Sequence, residues 1–248
     1  MARMTDFLAQ AGDVLGTIWT AAITPVDAPS SVLVLTMCGV ALAVVLFRPT
    51  WRLTRHVITI AHEAAHGFAA LLTGRKLEGI RLHSDTSGVT VSRGRPRGFG
   101  MVLTAFAGYV GPGVIGLGAA WLLREGYAVG LLWLLVLLLA LLLVQIRNLF
   151  GLWSVLVSGA LLVFVSWWLP PEAQMGTAYA VTWFLLFGAV RPVLELQVQR
   201  ARGRAPSSDA DQLAGLTGVP GLVWVGTFLL VTGGSVVLGG GWILAAAA

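Results

Sequence analysis

The chain has 248 residues, 57% of them hydrophobic and 11% charged, with a formal net charge of +5. A charged share so far below the roughly 25% of soluble domains excludes a soluble globular protein, and several stretches exceed the roughly 18–20 apolar residues that cross a hydrocarbon core. The basic excess gathers in short connections between apolar runs, without the aromatic interleaving of single-strand binders. That excludes nucleic acid as a partner and indicates the loops of a polytopic all-α protein in a lipid bilayer.

Residues 1–24 carry Asp6 and Asp13, which interrupt the apolar core of a cleavable signal. Phe7, Ala11, Val14, Leu15 and Ile18 share one helical face, so residues 5–20 form either an interfacial amphipathic helix or a loosely ordered tail. Apolar spans are expected at 31–47, 52–73, 99–123, 127–146, 148–169, 175–197 and 219–244, giving six to seven transmembrane helices in one integral membrane domain over 1–248. The fourth and fifth meet at Gln145–Asn148 closely enough to be one kinked hairpin. Pro170 and Pro171 divide the fifth from the sixth, because neither can sit inside a helix without breaking its ladder. The loop 198–218, containing "QRARGRAPSSDADQ", separates the last two. Cys38 is the only cysteine, so no internal disulfide or thiolate cluster is available.

Residues 74–98 differ from the rest. Ile80 and Leu82 alternate with Arg81 and His83, and Val89 and Val91 alternate with Thr90 and Ser92, on either side of "SDTSG". This predicts a β-hairpin at the membrane face, with Asp85 and Gly88 as turn residues and His83 solvated.

Basic residues suggest an orientation. One set of ends holds Arg3, the arginines and lysine of 75–97, Arg147, Arg200, Arg202 and Arg204; the other holds Arg48, Arg52, Arg55 and Arg124. The richer set is expected in the cytoplasm and the C-terminus outside, although three arginines before the second span run against that assignment. One lysine against fifteen arginines suggests a GC-rich genome and hence a bacterial plasma membrane.

The span 52–73 contains "AHEAAHGFAALLTG". Ionisable groups at membrane depth cost several kcal/mol, roughly 2.5–3.5 on insertion scales, so three within five residues need a purpose. Residues four apart on a helix share a face, so His62 and His66 can offer imidazoles to one metal ion, with Glu63 beside them as a general base. A polar cluster bonding neighbouring helices is the alternative. It accounts for one histidine better than for three residues. His56, near Arg55, reads as an interfacial histidine. A catalytic zinc takes three protein ligands, so a third must come from elsewhere. "GPGVIG", 111–116, fits a dinucleotide fingerprint by spacing but follows no strand, and reads as small residues for close helix packing.

From Ile60 onward the chain resembles the site-2 proteases, intramembrane zinc metallopeptidases, and within them a divergent branch. "AHEAAHGFAALLTG" is similar to the family's metal helix, and the hairpin falls where the family has a membrane-face β segment. "FAGYVGP", 106–112, resembles its Ala-Gly-Pro span, with two extra residues and no following asparagine. "RNLFG", 147–151, resembles the start of Asn-x-x-Pro…Leu-Asp-Gly, but no acidic residue follows Asn148, so the family's usual third ligand is missing. "SSDADQLAGLTGVPGLVW" resembles a downstream Ser-Asp-Ala element of the divergent branch. On that likeness Asp209 is the first candidate for the third zinc ligand and Asp211 the second.

Both aspartates have a plain alternative, the first turn of a short helix capped by Ser207 or Ser208. Glu195 and Asp85 are further candidates, Glu195 being accounted for equally by Arg191 one turn earlier. Asn148 either holds a substrate carbonyl or caps a helix. The resemblance implies a zinc endopeptidase acting on transmembrane or juxtamembrane segments of membrane proteins. The alternative is a non-catalytic relative that binds and scaffolds membrane proteins, favoured by the missing aspartate and opposed by the intact Glu63. A proton-relaying transporter lacks the inverted repeats it would need.

Overall fold

The computed structural model describes residues 2–205 and 207–247; the side chains of residues 2–5, and of Phe7 on the amphipathic face above, lie outside the described residues. In chain order the elements are α1 (Ala2–Ile23), α2 (Ser31–Leu46), α3 (Arg48–Leu72), β1 (Lys76–Leu82), β2 (Gly88–Arg93), α4 (Phe99–Arg124), α5 (Ala128–Leu143), α6 (Leu149–Trp168), α7 (Pro171–Ala201), α8 (Asp209–Thr217) and α9 (Gly221–Ala246). The protein is an all-α bundle carrying one small antiparallel sheet, and every expected span is a helix.

The spans are not all alike. Helices α4, α6, α7 and α9 are each long and apolar enough to cross a membrane, whereas α2 and α3 meet that test only as a pair, bent by 99° at their junction. The bend has a local cause. Phe47 is extended (φ −76°, ψ 121°), and a proline, Pro49, stands in the first turn of α3, where it has no N–H to continue the ladder. The Thr50 hydroxyl lies 2.9 Å from the carbonyl of Val44 and 3.0 Å from that of Phe47, within reach of the groups freed at the break. Helix α5 is apolar but only 16 residues long, and pairs with α6 as the expected hairpin. Helix α1 leans on α5, with Ala11, Ile18 and Ala22 half-buried and Leu15 and Trp19 exposed.

Small residues bring the central helices together. Gly111 of α4 stands so close to Ala65 of α3 that no Cβ fits, and a Cβ on Gly116 would lie 3.1 Å from Leu186 of α7. The 111–116 stretch is thus a packing surface, as expected. One apolar core joins α2, α4, α5, α7 and α9 around Val34, Ala120, Leu132, Tyr179, Leu186 and Ile243. A second joins α4, α7, α8 and α9 around Ala105, Val193, Leu213 and Phe228.

The placement of the basic residues needs correction. Arg55 pairs with Glu195 at 3.3 Å, and Glu195 is only five residues, about 7.5 Å of helix, from Arg200. The start of α3 therefore lies in the same half of the bundle as the arginines that end α7, because α3 turns aside at Phe47 instead of running straight on from α2. Arg124 marks the other end, following Leu123, which packs with Tyr179 near the start of α7.

The hairpin has the predicted strands, with Ile80 opposite Thr90, Leu82 opposite Gly88 and a bulge between Leu77 and Gly79. The outer edge of β1 is closed by residues 145–148. Ile80 N–H donates to the Gln145 carbonyl at 2.8 Å, and Arg147 N–H donates to the Ile80 carbonyl at 2.9 Å. The faces of β2 follow the surroundings of a membrane protein: Gly88, Thr90 and Ser92 are half-buried, Gly88 and Thr90 against α3, while Val89 and Val91 are 47% and 41% exposed.

Candidate metal centre

Helix α3 sets Arg55, Thr59, His62 and His66 on one stripe, because these positions recur at the helical period. Glu63 lies beside that stripe and is only 5% exposed. The carbonyl of Thr104 on α4 lies 2.6 Å from His66 Nδ1. A carbonyl can only accept, so that nitrogen carries the proton and Nε2 presents a lone pair.

Asp209 comes to the same point from a distant part of the sequence. Ser208 caps α8, its hydroxyl accepting from Asp211 N–H at 3.4 Å, and Ala210 and Leu213 anchor the helix in the core it shares with α4 and α9. Asp209 Oδ2 then lies 3.3 Å from Nε2 of both His62 and His66, and the two Nε2 atoms are 3.0 Å apart. Oδ2 is buried with no hydrogen-bond partner among the described residues. Ligand atoms about 2.0–2.1 Å from a tetrahedral zinc are separated by about 3.3–3.4 Å, so the triangle of two nitrogens and one oxygen fits such an ion. Burial alone would raise the Asp209 pKa; when the imidazoles of His66 and His62 are protonated they more than offset it and hold the carboxyl well below the usual carboxylate range.

The other acidic candidates lie elsewhere. Asp211 faces Arg200 and accepts from the Ser208 hydroxyl at 2.7 Å. Glu195 accepts from Arg191 Nε at 3.0 Å, the expected one-turn pair, and also from Trp51 Nε1 at 3.0 Å. Asp85 accepts from Ser87 N–H at 3.0 Å in the hairpin turn. His56 packs against Phe150 at 5.4 Å between ring centres. Asn148 stands at the first position before α6 but makes no cap; its side chain accepts from Leu82 N–H at 3.1 Å and donates to the Leu82 carbonyl at 2.6 Å, extending the sheet edge. Both halves of its amide thus bond the backbone of β1.

Four residues that sequence reasoning passed over shape the site. The Thr90 hydroxyl is 2.6 Å from Glu63 Oε2 and 3.0 Å from the Glu63 carbonyl, tying the hairpin to the acid. Gly88, expected as a turn residue, serves a different need: a Cβ there would lie 2.5 Å from Glu63 Cγ and 2.6 Å from Oε1. Gly108 of α4 makes room for the imidazoles, since a Cβ would collide with His66 and approach His62 Cε1 to 2.7 Å. Tyr109 meets His62 edge-on at 4.9 Å and stacks on Phe228 at 5.1 Å. The signal was present for two of them, since strand alternation puts Gly88 and Thr90 on one face of β2. A cavity of about 220 Å³ opens beside His62, Glu63 and Tyr109 and runs along α3 to Arg55.

A family model described as Peptidase M50B-like matches residues 35–239, taking in all of the chain from α2 to α9 except the ends of those two helices. No curated protein and no solved structure matches the chain. A helix-borne His-Glu-x-x-His inside a membrane bundle, and a family match over most of the sequence, lead to one assignment: the chain belongs to the Peptidase M50B-like family, of the site-2 protease kind of membrane metallopeptidase.

Proposed function

We propose that the protein is an intramembrane zinc endopeptidase that cuts peptide bonds in transmembrane or juxtamembrane segments of other membrane proteins. The observation that carries this reading is the triangle of His62, His66 and Asp209 ligand atoms with Glu63 beside it on the cavity wall. A zinc ion held by these three residues would lower the pKa of a water and polarise a peptide carbonyl. Glu63 accepts the proton from that water as it attacks, and delivers it to the departing amine. The Thr90 hydroxyl holds one carboxylate oxygen of Glu63, leaving the other to face the water. Thr104 fixes the His66 tautomer, and Tyr109 steadies the His62 ring from its edge.

A helical substrate must unwind before its amide is accessible. The edge of β1 is closed by residues 145–148, so the edge of β2 is the one that supports an added strand. The protein is oriented with the arginine-rich half, the hairpin and the start of α3 in the cytoplasm and the C-terminus outside, in a bacterial plasma membrane. Moving Arg48, Arg52 and Arg55 to that half removes the conflict in the basic-residue count.

The test is Glu63→Gln, which keeps size and hydrogen bonding but removes the base. The variant is expected to hold one zinc per chain and to cut no membrane substrate that the parent cuts. Unchanged cleavage would overturn the mechanism. A parent protein that binds zinc but cuts nothing across a membrane-proteome screen would establish the scaffold instead.

A further inference from the structure

The end of the cavity away from the metal centre carries charge that this mechanism does not use. Glu195 accepts from Trp51 Nε1 at 3.0 Å, from Arg191 Nε at 3.0 Å, and pairs with Arg55 Nη1 at 3.3 Å. Arg191 also donates to the Val45 carbonyl at the end of α2. Both guanidiniums lie over the Trp51 ring, at 4.8 Å for Arg191 and 5.7 Å for Arg55. Two cations share one anion around Trp51, and of these Arg55 and Glu195 line the cavity while Arg191 lies behind them. Glu195 and Arg191 are satisfied by each other and their neighbours. Arg55 lines the cavity and, among the described residues, has Glu195 as its one polar partner, leaving most of its five N–H donors unused. Asp85, in the adjoining hairpin turn, accepts from the Ser87 N–H and hydroxyl at 3.0 and 2.6 Å and, among the described residues, makes no pair with Arg55.

We infer that Arg55 forms a carboxylate-binding subsite, which selects substrates bearing an acidic group three to four residues from the bond to be cut. The inference rests on the protease reading for the meaning of that distance. Eight residues of α3 separate Arg55 from Glu63, about 12 Å at about 1.5 Å per residue. An extended substrate covers this in three to four residues at about 3.3 Å each. Thr59 lies between them, four residues from each, its hydroxyl 2.9 Å from the Thr86 carbonyl, so the hairpin tip flanks the path. A guanidinium with free donors on a cavity wall matches a carboxylate in charge and geometry. That carboxylate belongs either to an Asp or Glu side chain or to a free C-terminus left by an earlier cut.

The test measures binding without turnover, using Glu63→Gln protein in lipid nanodiscs and short fluorescent peptides of one sequence. One peptide carries Glu, one carries Gln at the same place, both with blocked ends, and a third carries the Gln with a free terminal carboxylate. The Glu peptide, or the free-terminus peptide, is expected to bind about tenfold more tightly than the blocked Gln peptide, as a charge-assisted hydrogen bond implies. A preference for the first assigns the subsite to an acidic side chain, and for the second to a chain end. The preference should vanish in Arg55→Gln and persist in part in Arg55→Lys. Equal binding of all three peptides, which needs no change at Arg55, would overturn the proposal, as would a preference that survives Arg55→Gln. Absence of cleavage by the parent protein would remove the protease reading while leaving this measurement intact.

Discussion

Gly88→Ala is the substitution that best isolates the role of the hairpin in positioning Glu63. The backbone at Gly88 is not among the positive-φ positions, so alanine brings no strain to the strand itself. The added Cβ would stand 2.5 Å from Glu63 Cγ, 2.6 Å from Oε1 and 2.8 Å from Cδ. Ordinary carbon contacts are about 3.5–4.0 Å, so the carboxylate must retreat by about 1 Å. A displacement of about 1 Å in a reacting group costs on the order of 10²-fold in rate. The contact falls on Glu63 and not on an imidazole, so zinc content should stay at one per chain. The assay is cleavage of a membrane substrate in proteoliposomes, with zinc measured on the same sample. Parental cleavage in the variant would refute the reasoning, because it would mean the hairpin does not constrain the acid. Loss of zinc together with activity would also refute it, because the strain would then have moved α3 instead of the side chain.

Asp209→Ala should weaken zinc binding by orders of magnitude, whereas Asp211→Ala should keep its zinc and lose about 1 kcal/mol or less of stability at the start of α8; equal zinc retention in both variants would remove Asp209 from the centre. Gly108→Ala should lower zinc affinity while the bundle stays folded, since its Cβ meets the His66 ring, and calorimetric zinc titration at parental affinity would contradict that. Thr90→Val removes the hydroxyl 2.6 Å from Glu63 Oε2 and should slow cleavage without touching zinc, with Thr90→Ser restoring the rate. A slow Thr90→Ser variant would assign the effect to packing of the methyl group.

Much of this protein is written in local sequence. Apolar length and composition are enough for a membrane bundle, since each span must satisfy its own backbone within a single helix. The four-residue spacing of His62 and His66 puts both imidazoles on one face whatever the rest of the chain does, and the alternation on either side of "SDTSG" yields the hairpin. Asp209 was reachable only through resemblance, because nothing in "SSDADQ" distinguishes a metal-facing carboxylate from an acid at a helix start. Both aspartates do occupy that first turn, and the packing of Ala210 and Leu213 decides which one turns inward. The bend at Phe47 has a local cause, but its consequence is tertiary: two apolar runs separated by "FRPTW" read as two spans until Arg55 is seen beside Glu195. Gly88, Thr90 and Gly108 became functional through approach distances of a few ångströms between elements far apart in sequence. Local pattern sets which face a residue occupies, and only the packed bundle determines what that face meets.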